Sequence, residues 1–165
     1  MEPISQKDVK ERLSSDNPWW ADPQYTVPEW LSPKRVYFAP FSRLALNFEV
    51  KRAAVLLGPR RVGKTYMIKQ LIQAAINGGI AGKNILYVSI DAPIYLGMTL
   101  SQFIECMPEQ SSKEQKLVIF DEIQYLPNWE SHLKDLVESR PDIKFVVSGS
   151  AAASLQGKSS ESGAG

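Results

Sequence analysis

One cysteine and one histidine in 165 residues leave little material for disulfide or zinc chemistry. The single thiol, Cys106, excludes an internal disulfide and fits a reducing compartment. His132 falls on a predicted surface helix with no Cys or His neighbour, which argues against a metal site there. An excess of either charge is also missing: 19 basic residues stand against 18 acidic ones, so net charge gives no sign of a nucleic-acid partner. No apolar run is long enough to span a bilayer, and the polar N-terminus does not read as a secretory signal. The expectation is a cytoplasmic protein without a membrane partner. What is present, 44% hydrophobic and 22% charged residues, suits one globular domain with a sizeable core.

The most informative stretch is Gly58-Pro59-Arg60-Arg61-Val62-Gly63-Lys64-Thr65, which fits G-x-x-x-x-G-K-[ST]. The apolar run Ala53 to Leu57 precedes it and a helical pattern follows, so a strand leads into the loop and a helix out of it. Gly58 and Gly63 permit turns closed to a side chain, so that successive N–H groups can face phosphate oxygens. The helix starting near Lys64, with Tyr66 in its first turn, adds unpaired N–H groups and the positive end of its dipole. Lys64 would place a charge on the β- and γ-phosphates, and the Thr65 hydroxyl would ligate Mg²⁺.

A second signature is Leu117-Val118-Ile119-Phe120-Asp121-Glu122, a buried parallel strand closing on two carboxylates. Asp121 is suited to hold Mg²⁺ through water, opposite Thr65. Glu122 is suited to orient or deprotonate an attacking water. Strands are expected near 53–57, 85–90, 117–121 and 144–148 with helices between them, giving a three-layer α/β domain with a parallel sheet. The glycine loop, Asp91, Asp121, Glu122, Ser148 and Ser150 would then gather at the C-terminal strand ends. Asp91 reads equally as a turn residue and as a ligand.

Around this core the pattern is less regular. Ser5 to Leu13 offers a short helix, and residues 1–40 otherwise form a tryptophan- and proline-rich arm, expected to pack on the core, with a docking surface for another domain or chain as the alternative. Phe41, Leu44, Ala45 and Phe48 follow helical spacing, whereas Leu44, Leu46, Phe48 and Val50 alternate as in a strand; a helix that Ser42 could start is the favoured reading. Met67, Ile68, Leu71, Ile72 and Ala75 stripe the helix after the loop, which Asn77-Gly78-Gly79 ends. Thr99 and Gln102 form a capping box, and Asn128 is expected to cap a helix carrying Trp129, Leu133, Leu136 and Val137. Pro108 to Lys116 reads as a polar loop. Residues 41–150 make the core, and 151–165 read as a mobile tail.

Taken with the run from Asp121 to Glu130, the Val147-Ser148-Gly149-Ser150 segment, Asn17-Pro18-Trp19-Trp20 and Tyr87 to Asp91, the loop resembles the prokaryotic AAA+-like ATPases. Among these the chain is similar to the archaeal-ATPase group, related to the STAND switch NTPases. The resemblance implies a strand order of 5-1-4-3-2, Asp121 as the Mg²⁺-linked acid, Glu122 as the catalytic glutamate, and Ser148 or Ser150 as a polar sensor. Because the family pattern continues with an arginine, a fifth strand and a C-terminal domain, the chain is expected to be a truncated ATPase with weak turnover, and a homo-oligomer is an open partner. Arg60 and Arg61 are expected to face outward, and Arg140 to lie away from the strand ends. The expected function is Mg²⁺-dependent binding and hydrolysis of ATP, driving conformational change in an attached domain or assembly. A P-loop kinase acting on a small acceptor and a non-hydrolysing nucleotide switch are the alternatives.

Overall fold

A computed structural model describes residues 4–59, 61–108 and 113–150. Four strands, β1 (Ala54–Gly58), β2 (Ile85–Ser89), β3 (Lys116–Asp121) and β4 (Ile143–Ser150), form one parallel sheet ordered β1-β4-β3-β2. This is the order expected for the first four strands. Helix α3 (Lys64–Asn77) carries the chain from β1 across the sheet to β2, and α4 (Leu100–Glu105) and α5 (Trp129–Ser139) bring it back one strand at a time. Right-handed crossovers in opposite directions put their helices on opposite faces. The two cores follow that rule: α3 and α2 (Phe38–Ala45) bury Ala54, Ile85, Leu117, Ile119 and Val146, while α4, α5 and α1 (Gln6–Asp16) bury Leu86, Val88, Val118, Phe120, Phe145 and Val147. Both faces of β3 are covered, which is why it reads as an unbroken apolar run.

The termini of these elements show where local sequence decides. Ser5 with Asp8 and Thr99 with Gln102 form reciprocal capping boxes. Helix α3 ends at Asn77, with Gly78 as its C-cap. Two expected starts differ. Helix α2 begins at Phe38 rather than at Ser42, and Pro40 sits in its first turn. A proline is tolerated there because its missing N–H would have had no intrahelical acceptor. Asn128 occupies the N-cap of α5 but makes no capping hydrogen bond; its backbone is left-handed, φ 57°. Asparagine suits that position because it visits this conformation more readily than most residues.

The N-terminal segment closes the β2 edge of the sheet with side chains instead of a strand. Asn17, fully buried, accepts from the Tyr87 N–H at 2.7 Å and donates to the Tyr87 carbonyl at 2.9 Å. The indole N–H groups of Trp19 and Trp20 both donate to the Ile85 carbonyl, at 3.0 and 2.7 Å. Further along, Val27 N–H donates to Gln73 and Gln70 donates to the carbonyls of Glu29 and Ser32, so two buried glutamines of α3 hold the segment down. The expectations for Arg60, for residues 109–112 of the polar loop and for the tail over 151–165 fall on residues outside those described. Among the described residues no helix is long and apolar enough to cross a membrane.

Candidate nucleotide site

The loop after β1 and the strand ends of β3 and β4 meet at one edge of the sheet. Gly63 takes φ 84° and turns the chain into α3, whose N-terminus has no capping side chain. Its first N–H groups therefore lack an intrahelical or side-chain acceptor, the condition under which a helix start takes an anion. The Lys64 ammonium folds back on its own loop, donating to the carbonyls of Gly58 at 3.0 Å and Pro59 at 2.6 Å. Thr65 Oγ1 donates to Asp121 Oδ2 at 2.7 Å, joining the loop to the end of β3. Tyr66 points elsewhere: its hydroxyl donates to Ser32 Oγ in the N-terminal segment.

Asp121 is 1% exposed and accepts from four donors. Thr65 and Tyr87 hydroxyls bind Oδ2, the latter at 2.8 Å, while Ser148 Oγ and the Glu122 N–H bind Oδ1, the N–H at 3.0 Å. Strand register explains the convergence. Ser89 lies beside Asp121 on β2, and continuing the β3–β4 register sets Ser148 opposite it, all facing α3. Tyr87 stands two residues back from Ser89, and its long phenol reaches forward along the diagonal. Burial, and then the Asp121 charge and hydrogen bond, push the Tyr87 hydroxyl well above the ordinary tyrosine range. Over the phenol ring lies the Lys69 ammonium, 3.7 Å from its centroid, and desolvation lowers the Lys69 pKa.

Glu122 has a left-handed backbone, φ 55°, ψ 44°. Its carboxylate accepts from Gln124 Nε2 at 2.5 Å, and Gln124 Oε1 accepts the Ser150 N–H at 3.2 Å. Gly149 makes that approach possible, because a Cβ there would stand 2.7 Å from Gln124 Oε1. The two serines thus differ: Ser148 bonds the Asp121 carboxylate, whereas Ser150 reaches Glu122 only through Gln124. Asp91 is not drawn in; it is exposed and accepts from Ser89 Oγ at 2.5 Å, a turn role. Arg61 is exposed, and Arg140 pairs with Asp142 at 2.9 Å at the far end of the sheet.

Four contributors carry no site signal of their own in the sequence, although Tyr87 and Gln124 fall within the stretches that carry the family resemblance. Tyr87, Lys69 and Gln124 are three of them. Arg35 is the fourth: its guanidinium donates to the Val62 carbonyl, and a Cβ on Gly63 would come within 3.0 Å of it. Beside Arg35 a cavity of about 490 Å³ opens between the loop and the apolar side chains of Tyr37, Phe41, Leu57 and Met67. A larger cleft of about 750 Å³, around Lys116, Arg140 and Asp142, lies at the opposite end of the strands.

The donor set fits a phosphate chain and a divalent cation: free N–H groups at a helix start, one ammonium, a hydroxyl and a carboxylate. Together with the parallel sheet this defines an α/β domain of the P-loop NTPase fold class. Comparison with known families agrees. The family described as the AAA domain matches residues 50–165, and the chain belongs to it. It is also 33% identical over 108 residues to an uncharacterized protein of Haemophilus influenzae, an alignment covering 63% of this chain and 26% of that protein. The matched region is thus about a quarter of that relative's length. Among solved structures it is similar to PCH-2 of C. elegans, with a TM-score of 0.41 and 18% identity over 90% of this chain and 38% of that one, too remote to bear on the argument.

Proposed function

We propose that the chain is a Mg²⁺-dependent ATP-binding and ATP-hydrolysing module whose nucleotide state drives conformational change in an attached domain or assembly. The observation that carries this reading is the Thr65–Asp121 hydrogen bond, which sets the loop hydroxyl against a buried carboxylate where P-loop enzymes hold their cation. In this reading Mg²⁺ offsets phosphate charge, with Thr65 and Asp121 as the groups that hold it. The N–H groups at the start of α3 bind phosphate oxygens. Lys64 exchanges its two carbonyl acceptors for phosphate oxygens. The 490 Å³ cavity beside the loop has the size and apolar lining of a small-molecule pocket and would seat the base. Glu122, held by Gln124 at the mouth of the site, orients the attacking water and accepts its proton.

Calorimetric titration with ATP, with and without Mg²⁺, tests the reading. Wild type should bind Mg²⁺–ATP, and Lys64→Ala should weaken binding by at least ~1.5 kcal/mol, the lower range for a charged hydrogen bond. Equal affinity in the two proteins would remove the loop from the site. Phosphate release in the presence of Mg²⁺ alone, without an added acceptor, separates an ATPase from a kinase.

A further inference from the structure

We infer that Tyr87 is a positioning residue for Asp121, setting the carboxylate for the divalent cation, and that Asn17 and Lys69 hold Tyr87 in place; this rests on the reading above. The geometry leads there in steps. Asp121 is the one buried carboxylate among the described residues, and its Oδ2 is divided between Thr65, itself a proposed cation ligand, and Tyr87, which is not. A cation can take a lone pair of the Thr65 oxygen while its O–H still donates to Oδ2. The phenol is the second donor on that oxygen and touches no cation, and Ser148 and the Glu122 N–H hold Oδ1 in the same way. A carboxylate held on both oxygens cannot rotate away, and outer partners of this kind orient metal ligands.

Tyr87 is itself immobilised from three sides. Asn17 takes both its backbone N–H and its carbonyl, β3 pairs its other edge, and the Lys69 ammonium sits on the ring face, where a cation is attracted to the π system. Lys69 lies one turn beyond Thr65 on α3, so the helix that carries the cation's hydroxyl ligand also clamps the phenol. The N-terminal segment thereby reaches the cation site through one strand residue.

The test compares wild type with Tyr87→Phe, which keeps the ring and removes only the hydroxyl. ATP affinity is measured calorimetrically in EDTA and then across a Mg²⁺ series. Tyr87→Phe should raise the Mg²⁺ concentration for half-maximal tightening of ATP binding by ~10-fold, the lower range for loss of an outer partner, with EDTA affinity within twofold of wild type. Leu86→Ala, which perturbs the neighbouring β2 position facing the opposite core, should lower thermal stability and leave the Mg²⁺ midpoint in place. A Mg²⁺ midpoint unchanged in Tyr87→Phe overturns the inference and leaves the ATPase reading standing. So does an equal loss of EDTA and Mg²⁺ affinity, or an equal midpoint shift in Leu86→Ala, since either means a structural role alone. Wild type that binds no ATP under any condition overturns both.

Discussion

Truncating Asn17 to alanine should be among the more damaging single changes outside the nucleotide site. Its side chain is fully buried and makes three hydrogen bonds: from Nδ2 to the carbonyls of Leu13 at 2.8 Å and Tyr87 at 2.9 Å, and to Oδ1 from the Tyr87 N–H at 2.7 Å. Asn17→Ala strands three backbone groups. Each buried group left unpaired costs roughly 1–3 kcal/mol, and water entering the vacated space recovers part of that, so the lower end of the sum applies, about 3 kcal/mol. For a chain of this size such a loss lowers the melting temperature by about 6–12 °C. Differential scanning calorimetry reads the shift, and native-state hydrogen exchange should show the Tyr87 amide losing protection. Asn17→Asp should do worse, because it keeps the acceptor while turning a charge toward two carbonyl oxygens. A loss under ~1 kcal/mol, with the Tyr87 amide still protected, would refute the reasoning, since groups this costly to strand cannot then be stranded.

Three further predictions concern the carboxylates. Glu122→Gln should keep Mg²⁺–ATP affinity while lowering turnover by at least ~100-fold in a steady-state phosphate-release assay, as the amide fits but cannot take a proton; Asp121→Asn should instead raise the Mg²⁺ requirement in that assay. Asp142 is held down to about 2, first by the Arg140 hydrogen bond, with Lys116 adding to it. A depressed carboxylate contributes stability that is present above its unfolded value near ~3.9 and is lost as pH falls toward 2. Urea midpoints at pH 5 and pH 2.5 should therefore fall further in wild type than in Asp142→Asn.

Much of the architecture could be read from local pattern. The four strands are apolar runs ended by polar or glycine residues, and the loop and helix α3 follow from spacing alone. The order of the strands needed the family resemblance. What stayed hidden depends on contacts between residues far apart in the chain. Asn17 meets Tyr87 across 70 positions, Tyr87 meets Asp121 across 34, and Arg35 meets Val62 across 27. Nothing in an asparagine before a proline announces that it will pair a strand edge. Gln124 could have been noticed, since it trails the two carboxylates within the most family-specific stretch, yet its link to Ser150 exists only because β4 lies alongside. At Asn128 the residue type points to a hydrogen-bond acceptor, whereas its use is conformational.

The left-handed backbone at Glu122 separates what is good for the fold from what is good for the proposed chemistry. A non-glycine residue held at φ 55° costs of order 1–3 kcal/mol, which a glycine there would largely recover. Selection of variants for heat resistance alone would favour losing this glutamate. Only selection for turnover would restore it, so a strained backbone position beside the proposed site marks where the two pressures part.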